Sequence, residues 1–261
     1  MTPDRLALLR RRFLDYAGDF IARAGDRERP LMELKREHCA FVARDARAIA
    51  EAEEWDASRA NAAEALGRIH DIGRFPQLAE YGTFRDDESI DHGERGYRAL
   101  IETGMLDDLP ETERDALLDG VRFHNAAEIP SDLPPDRRAW VELVRDADRL
   151  DIYRVMLRAL ETGEVERRPE IVLGLPLGGP PSPAIVEAIL HRRSSSYLDA
   201  ANATDFLLLQ LSWRFRMNHR SALKLMDDRR ILERYAVHLP KDAPEIGDLF
   251  ALLSSNAAVS T

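Results

Sequence analysis

Apolar residues recur at helical spacing along almost the whole chain, and this period constrains the fold more than any other feature of the sequence. Start signals agree with it, because Pro3 and Pro135 suit the first turn of a helix and Asp56 or Ser58 can cap the third helix. The sequence therefore predicts an all-α protein. The predicted helices cover 3–24, 31–55, 58–74, 90–105, 111–125, 135–161, 183–198, 204–227, 228–238 and 244–254.

One segment departs from the helical pattern and also indicates how the chain is divided. The stretch EIVLGLPLGG at 170–179 is apolar and interrupted by Gly and Pro, so we expect a short strand or an extended loop there. The clearest change in composition, LGLPLGGPPSP at 173–183, overlaps it. We therefore expect a helical domain over 1–165 and a C-terminal helical extension over 166–261, packed together as one unit.

Charge and cysteine content limit the classes of partner and site. The 261 residues include 37 basic and 47 acidic side chains, for a formal net charge of −10. A long nucleic acid or an anionic membrane surface is therefore not an expected partner, whereas a local basic pocket for a small phosphate ligand is compatible with this charge. The single cysteine, Cys39, excludes an internal disulfide and a cysteine-rich metal site. These features fit a protein of the reducing cytoplasm.

The longest apolar run is FLLLQLSW at 206–213, far shorter than the roughly 18 residues of a membrane span. No membrane-spanning segment is therefore expected, and the N-terminal MTPDRLALLRRRF lacks the apolar centre of a signal peptide. We expect the apolar run to form a buried helix. It lies either in the core or at the interface of a homo-oligomer, and the sequence leaves both alternatives open.

Histidines and aspartates fall on the inward faces of five predicted helices. His38 shares a stripe with Leu34, Phe41 and Val42, and the same spacing argument holds for the others. A buried carboxylate is costly unless it is paired or binds a cation. Neutral imidazole together with carboxylate suits zinc, manganese or iron. The joint pattern favours a buried metal site over separate core side chains, and it comprises His38, His70, Asp71, His92, His124 and Asp146.

The order of these residues along the chain resembles the HD-domain superfamily of metal-dependent phosphohydrolases. The resembling segments are EHCAFVARDA, RIHDIGRF and LVRDADRLDIY, together with IDHGERGYRAL and GVRFHN, where many members place further histidines. They extend over about 31–157. The resemblance implies an HD-domain helical bundle, with the additional C-terminal helices packed on it.

The resemblance also implies a metal cofactor and its ligands. One or two divalent ions are expected per chain, and Mn, Mg, Fe, Co, Ni and Zn all suit the donor set. A first ion would be bound by His38, His70, Asp71 and Asp146. Asp71 could bridge to a second ion held with His92 and His124, or these two histidines could instead contact the substrate.

Further roles follow from the same resemblance. Arg74 stands where many members have a lysine, so it is expected to bind substrate phosphate and to offset charge that develops in catalysis. Asp71 is expected to be catalytic through the metal. His92 or His124, when free of metal, could protonate the leaving oxygen. Asp148 and Asp151 are expected to orient the metal ligands rather than to bind the ion.

The predicted activity is hydrolysis of a small phosphomonoester or phosphodiester, such as a nucleotide, by a metal-activated water. The branch that degrades cyclic dinucleotides carries a His-His pair and a Gly-Tyr-Pro motif, whereas this chain has His124-Asn125 followed by AAEIP. Membership of that branch is therefore not expected. Two alternatives stay open: an HD-type mixed-valent di-iron oxygenase, and a non-catalytic ligand-binding protein with a residual metal site.

Overall fold

A computed structural model describes residues 1–193 and 196–255, and these residues form helices and connecting turns with no β-strand among them. The predicted all-α class is confirmed. The chain divides into two compact units, one over Met1–Asp151 and one from Ile152 onward. This division falls after Asp151, whereas the two domains expected from the sequence, 1–165 and 166–261, stay a prediction. A helix runs across this point, and an uninterrupted helix shows no boundary in its sequence. Whether the two parts pack as one unit stays a prediction.

Short polar residues begin several helices of the first unit. The Thr2 side chain accepts a hydrogen bond from the backbone N–H of Arg5, and the Asp56 and Asp91 side chains do the same for the helices that follow them. These caps confirm Asp56 as a helix start. The helices are α1 (Pro3–Arg23), α2 (Arg29–Ala52), α3 (Ala57–Ile69), α4 (Arg74–Tyr81), α5 (His92–Thr103), α6 (Glu111–Phe123) and α7 (Pro135–Glu161), the last of which enters the second unit.

Small residues let α2 and α3 lie very close together. The buried side of α3 is rich in alanine, including Ala62 and Ala63. A Cβ atom on Gly67 would lie 2.7 Å from Cα of Ala43 and 2.8 Å from the carbonyl oxygen of Val42, both on α2. The backbones of the two helices therefore approach within a distance that only glycine allows at this position.

The predicted helix over 58–74 is wrong in its last part, because the chain turns at the His-Asp pair. Helix α3 ends at Ile69, and α4 begins at Arg74 after a tight turn. The turn brings the backbone against α5: a Cβ on Gly73 would lie 2.2 Å from the carbonyl oxygen of His92. The apolar spacing continues through the turn, so the period alone does not reveal the break.

The second unit, described by itself, departs from the prediction at three places. The predicted helix 183–198 ends at Leu190, and residues 194 and 195 of that prediction lie outside the described part of the chain. The 170–179 segment contains no strand; a 3₁₀ turn at Pro169–Val172 is followed by Leu173 and Gly174 with positive φ. The predicted helix 204–227 is interrupted by a 3₁₀ turn at Trp213–Arg216. Its helices are the end of α7, α8 (Glu164–Arg167), α9 (Pro183–Leu190), α10 (Ala203–Ser212), α11 (Arg220–Asp228), α12 (Ile231–Ala236) and α13 (Pro244–Ser254).

The apolar run FLLLQLSW lies mostly in α10, and its side chains from Phe206 to Leu211 are buried. The core position, one of the two alternatives for this run, is thus the one observed. A homo-oligomer stays a prediction. Within the described ranges 1–193 and 196–255, every helix is either too short or too polar to span a bilayer.

Candidate metal centre

Five ionisable side chains meet in the interior of the first unit. Three of them sit at helix ends: His70 follows α3, His92 begins α5 and His124 follows α6. His38 comes from the middle of α2, and Asp71 from the turn after His70. Each is at most 5% exposed. The expectation that these side chains face the interior is confirmed.

The five side chains form two groups that share Asp71. In the first group, His38 Nε2 and His70 Nε2 lie 3.2 Å apart, and Asp71 Oδ2 is 3.5 and 3.6 Å from them. In the second group, His92 Nε2 and His124 Nε2 lie 3.0 Å apart, and Asp71 Oδ1 is 3.3 and 3.5 Å away. Each group offers three ligand atoms close enough to hold one metal ion. Asp71 therefore presents one carboxylate oxygen to each group.

Two of the histidines are oriented by the backbone of their own helix. His70 Nδ1 donates to the carbonyl of Gly67 at 2.9 Å, and His124 Nδ1 donates to the carbonyl of Val121 at 2.8 Å. A carbonyl oxygen only accepts, so Nδ1 must carry the hydrogen in both rings. In a neutral ring, Nε2 is then left with a free lone pair.

The other two histidines are oriented by carboxylates. His38 Nδ1 donates to Asp151 Oδ2, and His92 Nδ1 donates to Asp86 Oδ2, each at 2.6 Å. Such carboxylate–histidine pairs commonly stand behind metal-binding histidines. The structure thus places Asp151 against His38, and its role in orienting a metal ligand stays a prediction.

The resulting arrangement could hold metal ions. Four Nε2 atoms point toward one another and toward the carboxylate of Asp71, and lone pairs at these distances repel unless a proton or a metal ion lies between them. Two nitrogens bound to one ion at about 2.1 Å each, at about a right angle, lie about 3 Å apart. The observed separations of 3.2 and 3.0 Å match this value. The donor set therefore fits one or two divalent ions.

Burial and neighbouring charge shape the proton affinities in the site. Burial alone would raise the pKa of Asp71, but Lys35 Nζ, 2.7 Å from Oδ2, and the surrounding histidines outweigh it and hold this pKa well below its usual value. Burial lowers the pKa of His70. Burial and the nearby Arg74 lower the pKa of His92 to about 4. His70 and His92 are therefore neutral near pH 7, as metal ligands must be.

The aspartate that joins the first group is Asp148, and this differs from the expected ligand, Asp146. Asp148 Oδ1 lies 3.1 Å from His38 Nε2 and 3.6 Å from His70 Nε2. Asp146 is fully buried, contacts Arg149 at 3.4 Å and lies outside both groups. Residues two apart on a helix face different directions. The apolar residues around Asp146 mark the face of α7 that enters the core. Asp148 lies on the adjacent face, which points to His38 and His70.

Hydrogen bonds within the protein hold the Arg74 guanidinium. Its Nη1 donates to Gln77 Oε1 at 2.8 Å, to the carbonyl oxygen of Phe84 at 2.5 Å and to Asp86 Oδ1 at 2.8 Å. Its Nε lies 3.6 Å from Asp71 Oδ1. The structure thus brings Arg74 beside the second group, where it also holds the loop that follows α4. A role in phosphate binding stays a prediction.

Sequence reasoning missed Lys35 and Asp86. Lys35 lies one turn before His38 on the same side of α2, a spacing that could have identified it. Asp86 lies in a loop, where no period indicates which way a side chain points. Lys35 contacts Asp71 and Asp86 contacts His92, so each residue touches a member of the cluster directly.

Comparison of the chain with known protein families, with curated proteins and with solved structures finds no match. The fold and the site by themselves define an all-helical protein with a buried histidine–aspartate cluster that could hold metal.

Proposed function

We propose that this protein is a metal-dependent phosphohydrolase of the HD type that cleaves a small phosphomonoester or phosphodiester, with nucleotides among the candidate substrates. One observation carries the proposal: four Nε2 atoms converge on the two oxygens of the single carboxylate Asp71. This geometry suits two divalent ions bridged by one carboxylate, which is a common arrangement for hydrolysis of phosphate esters. The resemblance of the ordered motifs to HD-domain phosphohydrolases supports the same assignment.

Each half of the centre has its own ligands in this proposal. The first ion would be held by His38, His70, Asp71 and Asp148, and the second by Asp71, His92 and His124. The pKa of about 4 at His92 favours the ligand role over the proton-donor role, because a ring with this pKa carries no extra proton near neutral pH. When bound, the ions supply a water of lowered pKa and polarise a phosphoryl oxygen.

Lys35 is the cation best placed to meet the substrate in this proposal. Its side chain is 23% exposed, and its ammonium lies beside both Asp71 and the ring of Phe84, 5.7 Å from the ring centre. Arg74 Nη1 already donates to three oxygens. Lys35 can therefore turn toward a phosphoryl oxygen at the cost of one hydrogen bond, and Arg74 adds positive charge from its fixed position.

The test is turnover of a panel of phosphomonoesters and phosphodiesters, with each divalent metal, by the wild type and by Asp71→Ala. Asp15→Ala serves as the matched control, because Asp15 is an exposed carboxylate on α1. We expect the wild type and Asp15→Ala to bind metal and to hydrolyse at least one ester, and Asp71→Ala to lose both properties. Metal-dependent hydrolysis that persists unchanged in Asp71→Ala would refute the proposal.

A second candidate function is a di-iron oxygenase of the HD type. The observation that favours it is the size of the ligand set: with Asp148, the centre holds four histidines and two aspartates around two adjacent groups. Iron analysis, electron paramagnetic resonance of protein purified without oxygen, and oxygen uptake distinguish the two. Two irons per chain with oxygen consumption and no ester hydrolysis would support the oxygenase. Nucleotide binding without turnover in either assay would indicate a ligand-binding protein.

A further inference from the structure

The two carboxylates behind the histidines differ in where the chain places them. Asp151, behind His38, is fully buried on α7. Asp86, behind His92, has a side chain that is 32% exposed and lies in the loop between α4 and α5, at the start of a 3₁₀ turn over Asp86–Glu88. The first group is therefore supported by the helical core, whereas the second group is supported by a surface loop.

Both oxygens of Asp86 are used. Oδ2 accepts from His92 Nδ1 at 2.6 Å and from Asn125 Nδ2 at 3.3 Å. Oδ1 accepts from Arg74 Nη1 at 2.8 Å and from Gln77 Nε2 at 2.9 Å. These contacts reach α4, α5 and the residue that follows His124, so a single carboxylate joins the loop to His92 and to two neighbouring parts of the first unit.

Other contacts fix the loop in the position that Asp86 needs. Arg74 donates to the carbonyl oxygen of Phe84, and Gln77 donates to Ser89 Oγ and to the carbonyl oxygen of Ile90. The loop is thus tied to α4 on both sides of Asp86. These contacts hold the Asp86 carboxylate in position to accept from His92, although it lies in a loop and not in a long helix.

We infer that Asp86 is a positioning residue that controls the second metal ion selectively. Asp86 holds the His92 ring with Nε2 toward the second group. Removal of the Asp86 carboxylate weakens binding of the second ion and leaves binding of the first ion unchanged. This inference rests on the proposed metal centre. Coupling is reciprocal, so binding of the second ion steadies the loop from Gly82 to Asp91 in return.

The test measures metal stoichiometry in the full-length protein with Asp86→Asn, Asp86→Glu and the control Asp87→Asn. Asp87 is the neighbouring carboxylate, its side chain is 61% exposed, and it forms an ion pair with the adjacent loop residue Arg85. Mn²⁺ titration by calorimetry should give two ions in the wild type and in Asp87→Asn. In Asp86→Asn the second Kd should rise about 10- to 100-fold while the first is unchanged, as is typical when the partner of a metal-binding histidine is removed. Asp86→Glu should recover part of the loss.

A second measurement uses the wild type alone. Arg85 is exposed and lies next to Asp86, so trypsin cleavage after it reports on the loop. The second equivalent of Mn²⁺, and not the first, should slow this cleavage. The measurement stands even if Asp86→Asn fails to fold, which circular dichroism of the metal-free variant will show.

The outcomes separate the two proposals. A wild type that binds no metal refutes the metal centre and, with it, the proposed function. If folded Asp86→Asn binds both ions as tightly as the wild type does, the role of Asp86 is overturned, while the metal centre itself stands. Loss of both ions in folded Asp86→Asn, or protection of Arg85 by the first equivalent, also overturns the selective role.

Discussion

The close approach of α2 and α3 at Gly67 is a demanding test of how this fold builds its site. The change is Gly67→Ala, which adds one methyl group on α3. That methyl would lie 2.7 Å from Cα and 2.8 Å from the backbone nitrogen of Ala43. Carbon contacts are favourable at about 3.5–4.0 Å, and backbone atoms have no rotamer through which to move aside. The two helices must therefore separate by several tenths of an ångström or more.

The expected magnitude is a balance of two effects. Replacing glycine by alanine inside a helix gains about 1 kcal/mol from backbone propensity. Overpacking at a closed contact costs about 1–3 kcal/mol. The matched control is Gly18→Ala in α1, where an added Cβ meets nothing within 4 Å, so only the gain applies. We expect the free energy of unfolding of Gly67→Ala to lie about 1–3 kcal/mol below that of Gly18→Ala.

The same separation should reach the metal centre. His38 is on α2 and His70 follows α3, so the 3.2 Å between their Nε2 atoms spans the helix pair that the methyl forces apart. Urea unfolding of the metal-free variants measures stability, and Mn²⁺ titration measures the first ion. We expect weaker binding of the first ion in Gly67→Ala and wild-type binding in Gly18→Ala. If Gly67→Ala is stabilised as much as Gly18→Ala and binds metal equally well, the reasoning fails.

Three further predictions follow from the site and its surroundings. Asp148→Asn should abolish tight binding of the first ion, whereas Asp146→Asn should keep this binding and lower the free energy of unfolding by about 1–3 kcal/mol, because a buried contact is impaired. Metal titration and urea unfolding check this prediction, and loss of the first ion in Asp146→Asn but not in Asp148→Asn would contradict it. The folded-state pKa of His92 is about 4, below the usual 6.5, so the unfolded chain binds more protons than the folded chain between these two pH values. As the pH falls from 7 to 4, the metal-free protein should therefore lose up to about 3 kcal/mol of stability from this residue. Urea unfolding of His92→Gln over the same pH range should show a correspondingly smaller loss, and an equal loss would contradict the low pKa of His92. Burial, and after it the carboxylate of Asp71, raise the pKa of the buried Cys39 thiol well above its usual value. At pH 8 a thiol reagent should therefore label Cys39 of the native protein only as fast as the protein unfolds, and should label it at once in concentrated guanidinium. Rapid labelling of the native protein would show that Cys39 is accessible.

The sequence by itself determined the helical class and the inward direction of the key histidines. Both depend on the 3.6-residue period, which is a local property. His38 is buried together with Val42, and His124 together with Val121, each one turn away on the same helix, although Leu34 on the predicted stripe of His38 is 36% exposed. The pairing of His70 with Asp71 in one site also needs no distant information, since the two residues are adjacent.

Tertiary structure decided which side chains complete the cluster. The choice of Asp148 over Asp146 depends on the rotation of α7 against α2, and the break after Ile69 depends on how closely α5 approaches Gly73. Asp86 reaches His92 only because a loop folds back on the helix that follows it. Such contacts join residues that the chain brings together by packing, and a helical period carries no information on the distance or rotation between two elements.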